Sequence, residues 1–175
     1  MSDKDTIAAI STAHGKSAIG VIRVSGQNVQ SIINEFVGRK LKPRFATNVE
    51  IRDKKNISID DVIVIYFKAP SSYTGEDMLE IQSHGNPITM DFILENICSS
   101  HARISRPGEF TERAFLNNKI DLVQAEAIAD LINASHISAS KAAMITLQGN
   151  FSNKIESLIN DVLMLRAKIE ACINF

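Results

Sequence analysis

Three acidic side chains fall close together at Glu76, Asp77 and Glu80. Carboxylates so spaced can exchange protons with a substrate or hold a cation. Strand alternation puts Glu80 on the face of Met78 and Gln82, opposite Leu79 and Ile81, so a solvated rim explains the same spacing. Arg23 sits in an apolar strand on the face of Ile19 and Val21. There a guanidinium either closes a sheet-edge salt bridge or opens onto a pocket, where its planar fork suits carboxylates and polarised carbonyls. Lys119 lies in a linker and by itself reads as surface. His84 has no second imidazole nearby and reads as a turn histidine satisfied by backbone, not as a metal ligand. The loop Gly15-Lys16-Ser17 invites a phosphate-binding reading. A phosphate loop, however, needs a glycine where Ile10 stands and must open a helix, whereas this segment leads into a strand. Nothing has the pattern of a Ser-His-Asp or Cys-His nucleophile system, and Cys172 reads as a small core residue. The residues thus offer binding groups, with no catalytic residue and no metal site.

These groups need a scaffold, and its most informative stretch is Ser105–Asp130, SRPGEFTERAFLNNKIDLVQAEAIAD. A Pro-Gly turn, two phenylalanines and charges of both signs precede a helix rich in Ala, Leu and Ile. Upstream, Thr6–Ser11 and Ile19–Val24 read as strands, and apolar positions 29, 32, 33, 36 and 37 give a helical stripe that Gly38 ends. Val49–Ile51 and Ile57–Phe67 form an expected hairpin about the turn Arg52–Asn56, and Met78–Gln82 is a further strand. His84-Gly85 then turns the chain, Asn86-Pro87 opens a helix running to Cys98, and Ala102–Ser105 is a short strand. Residues 1–118 therefore read as one α/β sandwich.

The remainder reads as wholly helical. Asp121 with Gln124 resembles a capping box opening a helix over Leu122–Ala134. A second helix is expected from about Ser135 to the end, carrying a heptad seam at Phe151, Ile155, Leu158, Val162, Leu165, Ile169 and Cys172. About 40 residues would reach about 60 Å, more than a core with a radius of gyration near 13–14 Å covers. Partner helices are expected, on a continuation of the chain or on another subunit. Because the pattern stops at Ile173-Asn174-Phe175 without a cap, the chain reads as a fragment.

Bulk composition narrows the class. The 175 residues are 45% hydrophobic with a formal net charge of −1, enough for a real core and without the footprint of tight nonspecific nucleic-acid binding. An RNA substrate would be gripped from outside this chain. Cys98 and Cys172 form no disulfide framework, the start lacks a signal-peptide core, and the run Val62–Phe67 is too short to cross a bilayer. The expectation is a soluble, cytoplasmic protein.

In order, and over nearly the whole chain, DTIAAIST…GVIRVSG, SYTGEDMLEIQSHG, SRPGEFTERAFLNNKIDLVQAEAIADLINAS and LQGNFS resemble the amino-terminal part of the MnmE (TrmE) family of tRNA modification GTPases. The resemblance implies an α/β (α+β) domain of the tetrahydrofolate-binding type at 1–118. That domain would bind a one-carbon tetrahydrofolate and dimerise. It implies next, at 119–175, the first part of an all-α helical domain with a long terminal helix, truncated before an inserted Ras-like GTPase domain. The full protein would be a homodimeric GTP hydrolase. With a flavin-binding MnmG (GidA) partner, it would add an aminomethyl-type group to carbon five of the wobble uridine in tRNA. GTP, magnesium and potassium would belong to the absent GTPase domain, leaving this fragment inactive alone. The family's C-terminal cysteine motif is also absent, so Cys172 does not correspond to it.

By matching motif, the family's folate contacts fall on Arg23 of GVIRVSG, Glu80 of TGEDMLE and Lys119 of LNNKIDL. A carboxylate suits the guanidine-like edge of a pterin, and Arg and Lys suit its carbonyl and glutamate tail. The chain departs from the family at Ala13–Ala18, where Pro-Pro-Gly-Arg-Gly-Gly is usual. It departs again at Asn86, where a second glycine follows His-Gly, and at Asn174, where Asp is usual. Two rival readings stand beside this one. A structural dimerisation scaffold with a lapsed folate pocket fits the altered loop. An autonomous aminomethyltransferase lacks any visible acid or base aimed at the one-carbon unit.

Overall fold

The structure, a computed structural model, describes residues 5–53 and 55–174. Phe175 of the expected terminal departure, Lys54 of the expected turn Arg52–Asn56 and the opening residues 1–4 lie outside them. The chain divides into two compact units, Met1–Lys119 and Ile120–Phe175.

The first unit is an α/β unit built on a six-stranded mixed sheet. Its strands are β1 (Ile7–Ile10), β2 (Ser17–Ser25), β3 (Thr47–Arg52), β4 (Ser58–Phe67), β5 (Met78–Gly85) and β6 (Arg103–Ile104). They lie in the order β3-β4-β5-β2-β1-β6, antiparallel except for the β1–β6 pair. Alternation sends Val49, Ile51, Val62, Val64, Leu79, Ile81, Ile22 and Val24 to one buried face. Two helical elements cover that face. The stripe over 29–37 is wound as α1 (Val29–Ile32) and then a π turn (Ile33–Val37), which ends on Gly38 at φ 68°. Helix α2 (Pro87–Cys98) opens as the sequence suggests, with the Asn86 side chain accepting from the Ile88 N–H at 3.0 Å.

Two elements differ from expectation. His84-Gly85 continues β5 and makes no turn, because Gly85 pairs with Ser17 at a point where an added Cβ would sit 2.0 Å from the Ser17 Oγ. The segment after Pro107-Gly108 is a helix, α3 (Glu109–Leu116), whose buried side of Glu109, Arg113 and Ala114 gives no apolar stripe in the sequence.

The second unit is helical: α4 (Leu122–Asn133), α5 (Ile137–Leu147) and α6 (Asn150–Asn174). The Asp121–Gln124 capping box forms in both directions, at 2.7 and 2.9 Å. The single long helix expected from Ser135 is two helices, because Gly149 adopts φ 80° and ends α5. With 25 residues, α6 is about 37 Å long.

Candidate functional site

The second sheet face, closed at one end where Ile7, Ser25 and Met78 are buried and open further along, carries the candidate site. Arg23 on β2 and Glu80 on β5 are direct cross-strand partners, flanked on the next strand by Ile65, which pairs with Glu80. The Arg23 Nε donates to Glu80 Oε1 at 2.8 Å. The two side chains are 38% and 17% exposed, so the pair is reachable without being fully solvated. Among the described residues the two terminal nitrogens of Arg23 and the second oxygen of Glu80 have no side-chain partner. The pair therefore offers a donor fork and an acceptor side by side. This donor set fits a flat heterocycle with a guanidine-like edge and a carbonyl.

The same face runs on into a hollow of about 160 Å³ lined by Ala18, Ile19, Asp61, Ile63, Gln82 and His84. Ile19 and Ile63 remain exposed there, an apolar floor beside a polar pair. At its rim, His84 is tied to Asp60 through both its N–H, at 2.9 Å, and its Nδ1, at 2.7 Å. Its partner is thus a carboxylate and not the backbone alone. Burial works against the Asp60 charge, but these bonds outweigh it and hold the carboxyl below its usual range.

A loop over residues 68–77 borders the pair and connects it with Lys119. Tyr73 lies 5.9 Å beneath the Arg23 guanidinium, a cation–π distance. The Lys119 Nζ donates to the Pro70 carbonyl at 3.0 Å. Gly75 makes this docking possible: it takes φ 79°, and a Cβ there would stand 3.2 Å from the Lys119 stem and from Asn117. The structure thus brings Arg23 and Glu80 into direct contact, whereas Lys119 meets the same loop without a hydrogen bond or ion pair to either.

The acidic cluster read from sequence separates on folding. Glu80 takes Arg23, Glu76 takes Arg113, and Asp77 accepts from the Ala69 N–H at 2.8 Å. Burial together with the neighbouring Asp77 pushes the Tyr66 phenol up to about 12. Among the described residues, no group of three or more His, Cys, Asp or Glu side chains is arranged to hold a metal.

Sequence reasoning missed Tyr73, Glu109 and Arg113, and it named Glu76 only as a member of the acidic cluster, not as the partner of Arg113. Glu109 is 2% exposed and Arg113 5% exposed, yet both are charged. Arg103 meets Glu109 through both terminal nitrogens, at 2.9 and 2.5 Å, the Arg106 N–H adds a bond at 2.8 Å, and Arg113 reaches it at 3.1 Å. The Arg103 guanidinium, with this further help and against the cost of burial, holds the Glu109 carboxyl down at about 2. The available signal was the i,i+4 spacing of Glu109 and Arg113 on one helix face.

Comparison with known proteins gives the same picture as the motifs. Residues 6–119 match the family described as GTP-binding protein TrmE N-terminus, and residues 122–175 match the MnmE helical domain. The tRNA modification GTPase MnmE of Coxiella burnetii (strain RSA 493 / Nine Mile phase I) is 52% identical over 171 residues, 98% of this chain and 38% of that protein. The protein of the same name from Francisella tularensis subsp. novicida (strain U112) is 50% identical over 175 residues, 100% of this chain and 39% of its own length. The chain spans about two-fifths of the length of these relatives.

Proposed function

Because the chain belongs to the family of GTP-binding TrmE proteins, we propose that residues 1–118 form a module that binds a one-carbon tetrahydrofolate and dimerises. Residues 119–175 are then the first part of the helical domain. On this reading the module serves a cytoplasmic tRNA modification GTPase that adds an aminomethyl-type group to carbon five of the wobble uridine, together with a flavin-binding MnmG partner. GTP, magnesium and potassium act elsewhere in that protein.

One observation carries the folate reading: Arg23 and Glu80 stand opposite each other on the open part of the second sheet face with unused donors and an unused acceptor. Bound there, the folate supplies the one-carbon unit. Glu80 accepts from the pterin's amino edge, Arg23 donates to its carbonyl, and Lys119 supplies a cation for the glutamate tail. Ile19 and Ile63 keep water from the ring.

Calorimetric titration of the chain with 5-formyltetrahydrofolate tests the assignment. Arg23→Ala and Glu80→Ala should each weaken binding about ten-fold or more, since a hydrogen bond to a charged group contributes about 1.5–3 kcal/mol. Unchanged affinity in both variants removes the assignment. A second reading, a dimerisation scaffold with a lapsed pocket, is favoured by the ion pair that Arg23 and Glu80 already make with each other. It predicts no heat of binding and an unchanged dimer in sedimentation.

A further inference from the structure

The charged stretch 106–113 is not used by the proposed folate contacts, yet it is among the most carefully satisfied parts of the first unit. From Glu109 a chain of polar contacts runs to the bordering loop. Arg113 spans two carboxylates, with one terminal nitrogen on Glu109 at 3.1 Å and the other on both oxygens of Glu76, at 3.2 and 3.1 Å. Glu76 Oε2 also accepts from the Ser25 hydroxyl at 2.7 Å. Ser25 and Thr74 share a further hydrogen bond at 2.7 Å, and both are fully buried. Asn117, just past the end of α3, donates to the Thr74 carbonyl at 2.7 Å, and Thr111 on α3 meets the Tyr73 hydroxyl at 2.9 Å. Apart from the Arg113–Glu109 contact itself, each of these contacts ends on residues 73–76, the stretch that sets Tyr73 against Arg23.

A general stabilising role would not require this aim. Arg103 also meets Glu109, but its other contacts are Asp5, at 3.6 Å, and the Ile104 carbonyl, at 3.3 Å, neither of them in the loop. One carboxylate therefore serves arginines of different reach: Arg113 extends to the loop, whereas Arg103 and the more exposed Arg106 do not.

We propose that Arg113 and Glu76 are positioning residues for the ligand site: together they hold residues 73–76 so that Tyr73 stays against Arg23 and keeps the guanidinium turned toward Glu80. The proposal rests on the folate reading of that face. It assigns no ligand contact to either residue. They act through Tyr73, and Tyr73 offers an aromatic surface at the edge of the pair.

The test compares Arg113→Lys and Glu76→Gln with Arg103→Lys in the full chain, at a temperature where all three remain folded. Arg113→Lys keeps the charge but loses the fork that spans two carboxylates. Affinity for 5-formyltetrahydrofolate should fall five-fold or more in Arg113→Lys and Glu76→Gln, and less than two-fold in Arg103→Lys, even where the three lose similar stability. The chain has two tyrosines and no tryptophan, and Tyr66 is buried, so collisional quenching of tyrosine fluorescence by acrylamide reads Tyr73. Quenching should rise at least two-fold in the first two variants and stay unchanged in the third. Losses that follow stability alone in all three variants, or unchanged affinity and quenching, overturn the proposal. If the wild-type chain binds no folate, the folate reading fails; quenching then decides the positioning role, for it if it separates Arg113→Lys from Arg103→Lys and against it if not. Should Arg113→Lys not fold, Thr111→Val cuts the second tether on Tyr73 and must raise quenching, or the proposal falls.

Discussion

In the first unit a glutamate with only 2% of its surface exposed is met by three arginine side chains, Arg103, Arg106 and Arg113, and by a backbone N–H. In the second unit Leu158 and Leu165, on the seam of α6, are 58% and 59% exposed. Both units expose some large apolar side chains, but one buries charge while the other lines them up as a continuous stripe along a single helix. A buried charge and an exposed apolar patch are the informative departures from ordinary partition. The difference shows where each unit's order comes from. The first pairs its buried charges internally, with the Arg103 Nε as a buried nitrogen left without a hydrogen bond among the described residues. The second carries a stripe whose burial is not made by the described residues of this chain.

If that contrast is right, the largest effect of any single change should fall on Glu109. Glu109→Gln leaves Arg103, Arg106 and Arg113 facing an uncharged amide at a buried position. Removing one partner from such a cluster costs about 3–5 kcal/mol. Urea unfolding of the variant against wild type reads this directly. A loss below about 1 kcal/mol would mean that the cluster is hydrated and that the contrast between the units is false.

A somewhat smaller effect comes from pH. The Glu109 carboxyl is displaced from 4.5 to about 2, which corresponds to about 3 kcal/mol. Because the folded-state value is the depressed one, this stability is fully present above about pH 4.5 and disappears as pH falls toward 2. About 2 kcal/mol of it should be gone by pH 3. Other carboxylates titrate in the same window, so the measure is the gap in urea midpoint between wild type and Glu109→Gln, which should narrow from pH 7 to pH 3. A gap that stays constant would show that Glu109 owes nothing to its charge.

What could be read in advance follows the same division. Signals confined to a few neighbouring residues were legible. Asn86-Pro87 opens α2, Asp121 and Gln124 cap α4, and Gly38 ends the first helical element. The pairing of Arg23 with Glu80 was open in the sequence, since strand alternation gives the face of each but not the register between β2 and β5. Helix α3 was hidden because its buried side is made of Glu109, Arg113 and Ala114, so the usual apolar stripe is inverted. The break at Gly149 was masked by apolar residues on both sides that continue the seam, even though a left-handed glycine is a strong stop. His84-Gly85 has the composition of a turn, yet the close approach of Ser17 makes Gly85 a strand residue. For α3 and Gly85 the deciding feature breaks the hydrophobic rule or lies outside a local window, whereas at Gly149 a local stop is overridden in the reading by the apolar pattern around it.

The smallest expected effect is the sharpest check on the second unit. Leu158→Asn and Leu165→Asn replace side chains already more than half exposed, so each should change the stability of this chain by less than about 0.5 kcal/mol. The reference is Leu79→Ala in the first unit, where the side chain is fully buried and a loss of about 2–5 kcal/mol is expected. The two arms separate the units by what they bury rather than by composition, since leucine is removed in both. A loss above about 2 kcal/mol at Leu158 would mean that the seam is covered in solution. If that loss grew with protein concentration, the cover would be a second copy of the chain, because only an intermolecular contact gains stability by mass action. If it did not, α6 would have to fold against the other helices of its own unit, and the exposed stripe would not be an unfilled interface at all.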